Sequence, residues 1–403
     1  MAELAPIEAA LTALLDGVVP LESETIPADS ATGRVLAEPV PARQDVPGFD
    51  NSAMDGYALR LADAGRCLPI SQRIAAGQPA EPLAPGSCAR IFTGGEVPEG
   101  ADCVVMQERV EVTESGIRFP AELTAGDNIR RRGRDVTAGS ELLPAGLRLE
   151  AAALGHLAGQ GITDVKVRRR PRVALINTGD EVVEPGHSLA PGQLYNSNRP
   201  MLARLIERFG GQLVCLAKAP DDLEATRRLL IEAAEQADLV ITTGGVSVGE
   251  EDHVKPAVES LGRLDLWRLA LRPGKPLALG RLPRPDGGEA RFVGLPGNPV
   301  SGYVGAWLFL RPLLGALLGC PALARLTSVW ARADFATRTQ ARRHYLRVAL
   351  RFTPEGPVAE AFDDQNSAVL SSCVTANALA VVPAHSEITP GDRLECLWLL
   401  EDS

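Results

Sequence analysis

A Gly-rich turn between an apolar stretch and an acidic segment is the part of the chain best suited to chemistry. Residues 240–255 read VITTGGVSVGEEDHVK, so the glycines precede three consecutive carboxylates. A strand that leads through such a turn to a helix start presents free backbone N–H groups, which suit an anion such as phosphate. The acids oppose that use, because two like charges about 4 Å apart repel by roughly 4 kcal/mol at an effective dielectric near 20. An anion therefore needs a divalent cation or basic side chains beside this turn.

Basic side chains and a second Gly-rich turn follow in the sequence. Segment 266–280 carries Arg268, Arg272 and Lys275. Segment 291–319 reads as a strand, the turn LPGNPVS and a long apolar helix that starts near Asn298. Asn298 or Ser301 would cap this helix, whose first N–H groups would also suit an anion. These basic side chains and helix N–H groups supply the positive charge that an anion beside the acidic turn requires.

An alternation of strands and helices positions these turns. The apolar runs RVALIN, QLVCLAKA and DLVITT are separated by helical patterns at 198–211 and 221–237. Strands that alternate with such helices indicate parallel βαβ units and an α/β sandwich. Ligand-binding loops in these sheets lie at the carboxyl ends of the strands. The motif TGDE (178–181), the pair Asp221-Asp222 and the Gly-rich turn all fall there, so we expect them to converge.

The remaining segments are mostly β-like. The chain opens with an amphipathic helix at 4–18, and turn signals every 8–12 residues between 69 and 144 indicate a compact β module. Helical signals are missing after Pro321, which predicts a small C-terminal β domain. The loop DVPGFDNSAMDGYALR (45–60) is equally compatible with a functional loop and with a structureless acidic one. The arginines of NIRRRGRDV, before Asp135, are typical of a solvated basic turn.

Composition narrows the classes of function. A chain of 403 residues with 45% hydrophobic residues predicts two to four domains. The net charge of −10 argues against a nucleic-acid binder and against an anionic membrane surface. With no apolar run of 18 residues and an acidic N-terminus, we expect neither a transmembrane helix nor a signal peptide. The seven cysteines form no CxxC pair, which argues for a reducing cytoplasm and against cysteine-bound zinc.

Seven motifs in a fixed order resemble those of the molybdopterin molybdenumtransferases, bacterial enzymes related to the C-terminal domain of gephyrin. The motifs are GFDNSAMDGYAL, TGGEVPEGADCVVMQE, NIRRRGRDV, NTGDE, TTGGVSVGEEDHVK, RPGKP and GLPGNPVSG, from residue 45 to about 305. Each motif is weak alone, but their shared order makes the resemblance specific. Weaker similarity continues through RHYLRVAL and SAVLSSCVTANA in the last domain.

The resemblance implies a multidomain α/β and β architecture that agrees with this segmentation. The expected domains are a discontinuous N-terminal helical-β domain (1–45 and 140–168), an inserted β domain (46–139), an α/β molybdopterin-binding domain (169–320) and a C-terminal β domain (321–403). Members form elongated homodimers in which the partner's inserted domain completes the active site. Asp55 and Thr93 are therefore expected to act across the dimer interface.

The family reaction joins molybdate to the dithiolene of adenylated molybdopterin and releases AMP in a magnesium-dependent step. Matching motifs imply catalytic roles for Lys275 and for four carboxylates that are candidate Mg²⁺ ligands: Asp55, Glu181, Asp221 and Asp252. Since Mg²⁺ suits one or two carboxylates with phosphates and waters, all four need not be ligands. The substrate-binding residues implied are Thr93, Asp135, Gly244, Gly245, Ser247, Arg268, Arg272, Pro296, Gly297, Asn298, Ser301, Arg347 and Ser372.

One departure from the family pattern concerns charge geometry. The family often has lysines where this chain has Arg268 and Arg272, and arginine offers a planar, bidentate donor set in place of a point charge. Two alternatives to the transferase are an adenylyltransferase that activates the pterin with ATP, and a non-enzymatic cofactor carrier or scaffold. An upstream adenylyltransferase and downstream molybdoenzymes are the partners that the resemblance implies.

Overall fold

The computed structural model describes residues 4–219, 222–245 and 253–399, and the chain divides into two compact units. The first unit contains Met1–Ala37, Gly146–Glu150 and Val165–Ser403. The second contains Glu38–Ala145 and Ala151–Asp164. Each unit is assembled from separate stretches of the chain. The four-domain division drawn from the sequence stays a prediction.

The helices and strands follow in chain order. The α-helices are α1 (Ile7–Leu15), α2 (Ala151–Gly159), α3 (Asn198–Arg208), α4 (Leu223–Gln236), α5 (Val254–Leu261), α6 (Pro299–Gly305), α7 (Arg311–Leu318) and α8 (Ser371–Thr375). The first strands are β1 (Ser23–Pro27), β2 (Val40–Pro41), β3 (Asn51–Ser52), β4 (Gly56–Leu59), β5 (Cys67–Leu68), β6 (Ile70–Ile74), β7 (Cys88–Ile91), β8 (Cys103–Met106), β9 (Glu111–Thr113), β10 (Gly116–Arg118), β11 (Ile129–Arg130), β12 (Glu141–Leu143), β13 (Asp164–Arg168), β14 (Arg172–Asn177) and β15 (Val182–Val183). The remaining strands are β16 (Leu194–Tyr195), β17 (Gln212–Lys218), β18 (Leu239–Thr243), β19 (Arg263–Arg268), β20 (Leu271–Arg272), β21 (Pro276–Pro283), β22 (Glu289–Leu295), β23 (Ser328–Ala333), β24 (Thr337–Arg338), β25 (Arg343–Thr353), β26 (Gly356–Ala361), β27 (Ala378–Val382), β28 (Glu387–Ile388) and β29 (Arg393–Trp398).

A six-stranded sheet in the order β17-β14-β18-β22-β21-β19 forms the centre of the first unit. Strands β17, β14, β18 and β22 are parallel, as the alternating pattern predicts, whereas β21 is antiparallel to both β22 and β19. Because the middle strands are buried on both faces, they read as unbroken apolar runs such as RVALIN. The carboxyl ends of β14, β18 and β22 lie side by side.

Helices cover both faces of this sheet. One core contains Leu175 and Ile241 of the sheet with side chains of α1, α3, α6 and α7. The other contains Ala174 and Val240 with side chains of α4 and α5. Neighbouring residues of one strand therefore belong to opposite cores, because side chains alternate across a strand. The predicted α/β sandwich is confirmed.

The long apolar helix predicted after Asn298 is present and extends over Pro299–Leu318. It consists of α6, a π-helical turn at Ala306–Leu310 and α7. By length and composition alone this helix of 20 residues could cross a membrane, since its most apolar window has a mean hydropathy of 1.3. However, 83% of its most apolar stretch is buried inside the fold, which is typical of a core helix in a soluble protein.

The C-terminal part of the first unit is a closed β structure. Strand β25 pairs with both β26 and β27, and β26, β23, β29 and β27 complete a five-stranded ring. Strand β20 extends this structure by pairing in parallel with the first residues of β25. The small β domain expected after Pro321 is therefore present, together with the short helix α8, which the sequence pattern missed.

The second unit is built from short strands around two small cores. A four-stranded sheet has the order β6-β7-β4-β8, and a three-stranded sheet has the order β5-β10-β9. Along β4, Tyr57 and Leu59 pack in one core while Ala58 packs in the other. The sheet of β4 thus separates two apolar layers, which confirms the predicted β module.

All seven cysteines are free, and five of them are buried. Burial raises the pKa of Cys88 and Cys103 to about 11 and that of Cys396 to about 12. Burial also raises the pKa of Cys320 and Cys373. Cys67 differs, because bonds to the hydroxyls of Ser115 and Thr113 lower the pKa of its thiol.

Candidate active site

Loops from three strands meet at the carboxyl edge of the central sheet. Asn177, at the end of β14, donates from Nδ2 to Thr243 Oγ1 at 2.7 Å, and the Thr178 hydroxyl donates to the Thr243 carbonyl at 3.1 Å. The Gly244 N–H donates to the Leu295 carbonyl, at the end of β22, at 2.9 Å. The NTGDE, TTGG and LPGN turns are therefore held together by short bonds between their own residues.

Glycine is required at position 244, where these turns touch. Gly244 has φ +87°, and a Cβ atom there would lie 2.3 Å from Thr178 Oγ1. A Cβ atom on Gly297 would lie 3.6 Å from the Gly244 Cα. The Gly297 carbonyl accepts a 2.7 Å bond from Asn198 Nδ2, at the start of α3. The two glycine backbones can therefore approach each other closely, and the bonds that they make to Leu295 and Asn198 fix the turns in place.

A cavity of about 380 Å³ opens beside these turns. Eight of the residues that the sequence predicted for substrate or catalysis lie around it: Gly244, Gly245, Arg272, Lys275, Pro296, Gly297, Asn298 and Ser301. Six further residues line the same cavity: Pro273, Gly274, Pro276, Arg342, Asn366 and Ser367. Its wall therefore combines the Gly-rich turns of the α/β sheet with residues from the C-terminal β structure.

The cavity is strongly cationic. Arg272, Lys275 and Arg342 all line it, and no carboxylate among the described residues lies within ion-pair distance of any of them. The positive charge also affects the neighbouring His344. Burial, together with Arg272 and Arg342, lowers the pKa of its imidazole. A cavity with three cations and exposed backbone suits a ligand that carries several negative charges.

The start of α6 differs from the expected anion site. Asn298 occupies the N-cap position, but its side chain makes no capping bond. The Val300 N–H donates to the Ser367 carbonyl at 3.1 Å, so a main-chain oxygen already uses one of the helix's first donors. The contribution of this region to the cavity comes from the Asn298 and Ser301 side chains that line it.

Three other predicted residues of the first unit lie away from this cavity. Arg268 is exposed at the end of β19 and is not part of the wall. Arg347 and Ser372 are buried and bonded to each other, with Arg347 Nε donating to Ser372 Oγ at 2.9 Å. They line a smaller cavity of about 170 Å³. Arg347 also borders a cavity of about 430 Å³ that shares Arg272 and Pro273 with the first one.

The predicted carboxylates of the first unit are only partly described. Glu181 is exposed in the loop after β14, and its carboxylate lies over Gly179, where a Cβ atom would be 2.4 Å from Oε2. Asp222 caps α4 by accepting the Ala225 N–H at 2.7 Å. Asp221, Ser247 and Asp252 lie outside the described residues. Within the described part of the chain, no three His, Cys, Asp or Glu side chains are grouped to hold a metal.

The second unit holds the other predicted carboxylates. Asp55 is exposed, and its Oδ1 accepts both the Thr93 N–H and the Thr93 hydroxyl at 2.8 Å. These two bonds lower the pKa of Asp55 and keep it ionised. The turn that carries Thr93 is fixed by a 2.8 Å bond from the Gly94 N–H to the Ser52 carbonyl. Asp135 is exposed.

The basic turn before Asp135 has a structural role. Arg131 donates to Asp50 Oδ2 at 2.6 Å, and Arg132 forms an ion pair with Asp45. These bonds tie the loop at 45–60 to the turn at 128–139. Two aspartates of that loop are thus occupied by arginines, whereas Asp55 is presented on the surface.

Comparison with known proteins assigns the chain to a family. Three family models match it in order: "MoeA N-terminal region (domain I and II)" over residues 5–161, "Probable molybdopterin binding domain" over 174–316, and "MoeA C-terminal region (domain IV)" over 331–399. The chain belongs to the MoeA family of molybdopterin molybdenumtransferases. The resemblance read from the seven motifs is therefore confirmed.

Individual relatives are similar to this MoeA-family chain along most of its length. The molybdopterin molybdenumtransferase of Haemophilus influenzae is 42% identical over 304 residues, which is 74% of each chain. That of Synechococcus elongatus is 36% identical over 91% of this chain and 92% of its own. A solved structure of a molybdopterin biosynthesis MoeA protein from Pyrococcus horikosii matches with a TM-score of 0.81 and 30% identity, covering 98% and 99% of the two chains.

Sequence reasoning missed the part of the cavity that the C-terminal β structure supplies to this MoeA-family site. Arg342 directly precedes the weakly similar stretch RHYLRVAL and belongs to no motif, and Asn366 and Ser367 follow two exposed aspartates. The only available signal was the pair of adjacent arginines, Arg342 and Arg343. Their different environments depend on strand pairing, which the sequence pattern does not give.

Proposed function

We propose that this protein inserts molybdenum into molybdopterin: it joins molybdate to the dithiolene of adenylated molybdopterin and releases AMP. The observation that carries this proposal is the cavity at the carboxyl edge of the sheet, which gathers Arg272, Lys275 and Arg342 around Gly-rich turns. Both substrates are anions, so the cations attract them and the open backbone at Gly244 and Gly297 admits them closely. Membership of the transferase family and agreement along most of the chain support the same reaction.

The dithiolene of the substrate supplies the sulfur ligands for molybdenum. The protein's own role is then to bind and orient the two anions and to exclude water from them. Lys275 acts as a point charge and Arg272 as a planar donor pair on phosphate oxygens. An adenylyltransferase is less well supported, because the similarity to transferases also includes the N-terminal and C-terminal regions.

Magnesium belongs to this proposal. Mg²⁺ suits one or two carboxylates with phosphate oxygens and water completing the shell, so the protein need not supply a larger group of ligands. The candidates remain Asp55, Glu181, Asp221 and Asp252. When bound, Mg²⁺ would neutralise charge that develops as the phosphoanhydride breaks. The expected setting is the cytoplasm, where the free thiols stay reduced.

The proposed reaction is tested by measuring AMP release from adenylated molybdopterin. We expect release only when molybdate and Mg²⁺ are both present, with a molybdenum-loaded pterin as the product. Omitting either one provides the control. Formation of an adenylated pterin from molybdopterin and ATP would instead identify an adenylyltransferase, and tight pterin binding without either reaction would identify a carrier.

A homodimer with a shared site is the second part of the proposal. It follows from the family resemblance that Asp55 of one protomer serves the cavity of the other. The variants Asp55→Asn and Lys275→Gln, each inactive alone, should then complement each other. Random mixing makes half of all dimers heterodimers, and each heterodimer has one intact site and one doubly altered site. About a quarter of wild-type AMP release should therefore return.

The matched control mixes Lys275→Gln with Gly244→Ala. Both substitutions affect the same cavity in the same unit, so this mixture should show no more AMP release than the residual activity of Gly244→Ala, whichever chain supplies Asp55. No recovery from the Asp55→Asn and Lys275→Gln mixture, after refolding together, would place the whole site within one chain.

A further inference from the structure

Arg342 is a cation of the cavity that no motif identifies. It directly precedes β25 and is half-buried in the wall that also contains Lys275 and Arg272. Its position is set by the main chain, because Leu271 and Arg272 pair in parallel with Arg343 and His344. The Arg343 N–H also donates to the Ala270 carbonyl at 2.9 Å. Strand pairing therefore places Arg342 beside Arg272.

The two adjacent arginines have different partners. Arg343 leaves the cavity and donates to Glu8 Oε1 at 2.7 Å, so its charge is paired. Arg342 has no carboxylate within ion-pair distance among the described residues. Successive side chains of a strand point to opposite faces, which explains why only one of the pair lines the cavity. The chain thus directs one guanidinium to a paired surface site and its neighbour to the cavity.

The wall next to Arg342 is rigidly held. Arg347, which is 1% exposed, donates to the Asn366 carbonyl at 3.1 Å and the Asp364 carbonyl at 3.4 Å. The Ser367 carbonyl accepts the Val300 N–H, which fastens the same loop to the start of α6. Arg347 and Val300 therefore fix the segment that presents Asn366 and Ser367 to the cavity.

Three cations in one cavity repel each other unless an anion lies between them. A single phosphate can be bound by Lys275 and Arg272 alone, whereas a phosphoanhydride carries charge on two phosphorus centres. Guanidinium groups suit such a group because their planar donors bond two oxygens at once. Arg342, as a third cation beside Lys275 and Arg272, therefore suits a phosphoanhydride better than a single phosphate.

We propose that Arg342 is a substrate-binding residue that contacts the phosphoanhydride joining molybdopterin to AMP, with Asn366 and Ser367 forming the adjacent wall. This assignment rests on the proposed function. It makes the C-terminal β structure a direct contributor to the site of its own chain. Arg347 is then a positioning residue, which holds the loop and not the substrate.

The test compares Arg342→Gln with Arg343→Gln in the full-length protein. Affinity is measured by calorimetry for two probes, adenylated molybdopterin without molybdate and inorganic pyrophosphate. Arg342→Gln should weaken both about tenfold or more, since a charge-assisted bond to phosphate is lost. Arg343→Gln should change neither by more than about twofold, because the partners that Arg343 loses, Glu8 and Tyr345, do not line this cavity. Arg342→Lys should restore part of the affinity, and circular dichroism should show the same fold for all variants.

The outcomes separate this assignment from the proposed function. Equal affinities for Arg342→Gln and Arg343→Gln would overturn the role of Arg342. If the wild type binds pyrophosphate with the expected loss in Arg342→Gln but does not bind adenylated molybdopterin, the proposed substrate is wrong while the phosphate contact stands. If the wild type binds neither probe, both assignments are overturned.

Discussion

Gly244→Ala is expected to lower kcat/KM for AMP release about 100-fold, because a displacement of about 1 Å in a positioning element has an effect of that size. The new Cβ atom would lie 2.3 Å from Thr178 Oγ1. Either Thr178 must give up its bond to the Thr243 carbonyl, or the turn must move away from Gly297. Both changes alter the cavity wall that binds the anions.

Gly192→Ala is the matched control for this substitution. Gly192 has φ +88°, almost the same as Gly244, but nothing lies within 4 Å of its Cβ position. Gly192→Ala should therefore carry only the backbone strain of about 1 kcal/mol, with unchanged AMP release. Equal activity of the two variants would show that the contact between Gly244 and Thr178 does not shape the site.

Asp238→Asn is expected to lower the free energy of unfolding by about 3 kcal/mol, near the lower end of the range for breaking a buried ion pair. Asp238 is buried and accepts Arg169 at 2.6 Å, Arg284 at 3.1 Å and the Arg172 N–H at 2.8 Å. The substitution leaves those guanidinium charges without their carboxylate. Urea unfolding at neutral pH measures the loss.

The effect of Asp238→Asn should depend on pH. Burial opposes ionisation of Asp238, but the bonds from Arg169, Arg172 and Arg284 prevail and hold its pKa well below the usual range. Because the folded-state pKa is depressed, this stabilisation is complete above the unfolded pKa of about 4 and declines as the pH falls through the folded pKa. The difference between wild type and Asp238→Asn should therefore narrow in acid.

Glu224→Gln supplies the control for Asp238. Glu224 pairs with Arg227 at 3.1 Å on the surface of α4, where its side chain is 68% exposed. Its loss should change stability by no more than about 0.5 kcal/mol. A loss of similar size in both variants would show that the buried cluster is no more stabilising than a surface ion pair.

Local pattern and strand order made much of this architecture predictable. Unbroken apolar runs and intervening helices predict parallel strands, and the carboxyl ends of parallel strands necessarily meet at one edge. That rule brings Gly244 and Gly297 together although they are separated in sequence by a helix and four strands. Lys275 and Arg272 were identified by their motif and by the charge that an anion requires.

Features that depend on long-range pairing were not predictable in this way. The antiparallel direction of β21 relative to β22 has no signature in the residues themselves. The position of Arg342 depends on the pairing of β20 with β25, about 70 residues further along the chain. Burial of Arg347 is likewise a product of packing, since its sequence neighbours allow an exposed side chain equally well.

The buried thiols have a consequence for a protein that handles molybdenum. Thiolates, and not thiols, are the sulfur ligands of metals. With pKa values near 11 to 12, Cys88, Cys103 and Cys396 stay protonated at neutral pH and therefore cannot compete with the dithiolene for the metal. By keeping these three thiols protonated, the fold limits their competition with the pterin for the metal, a protection that Cys67, whose thiol pKa is lowered, does not share.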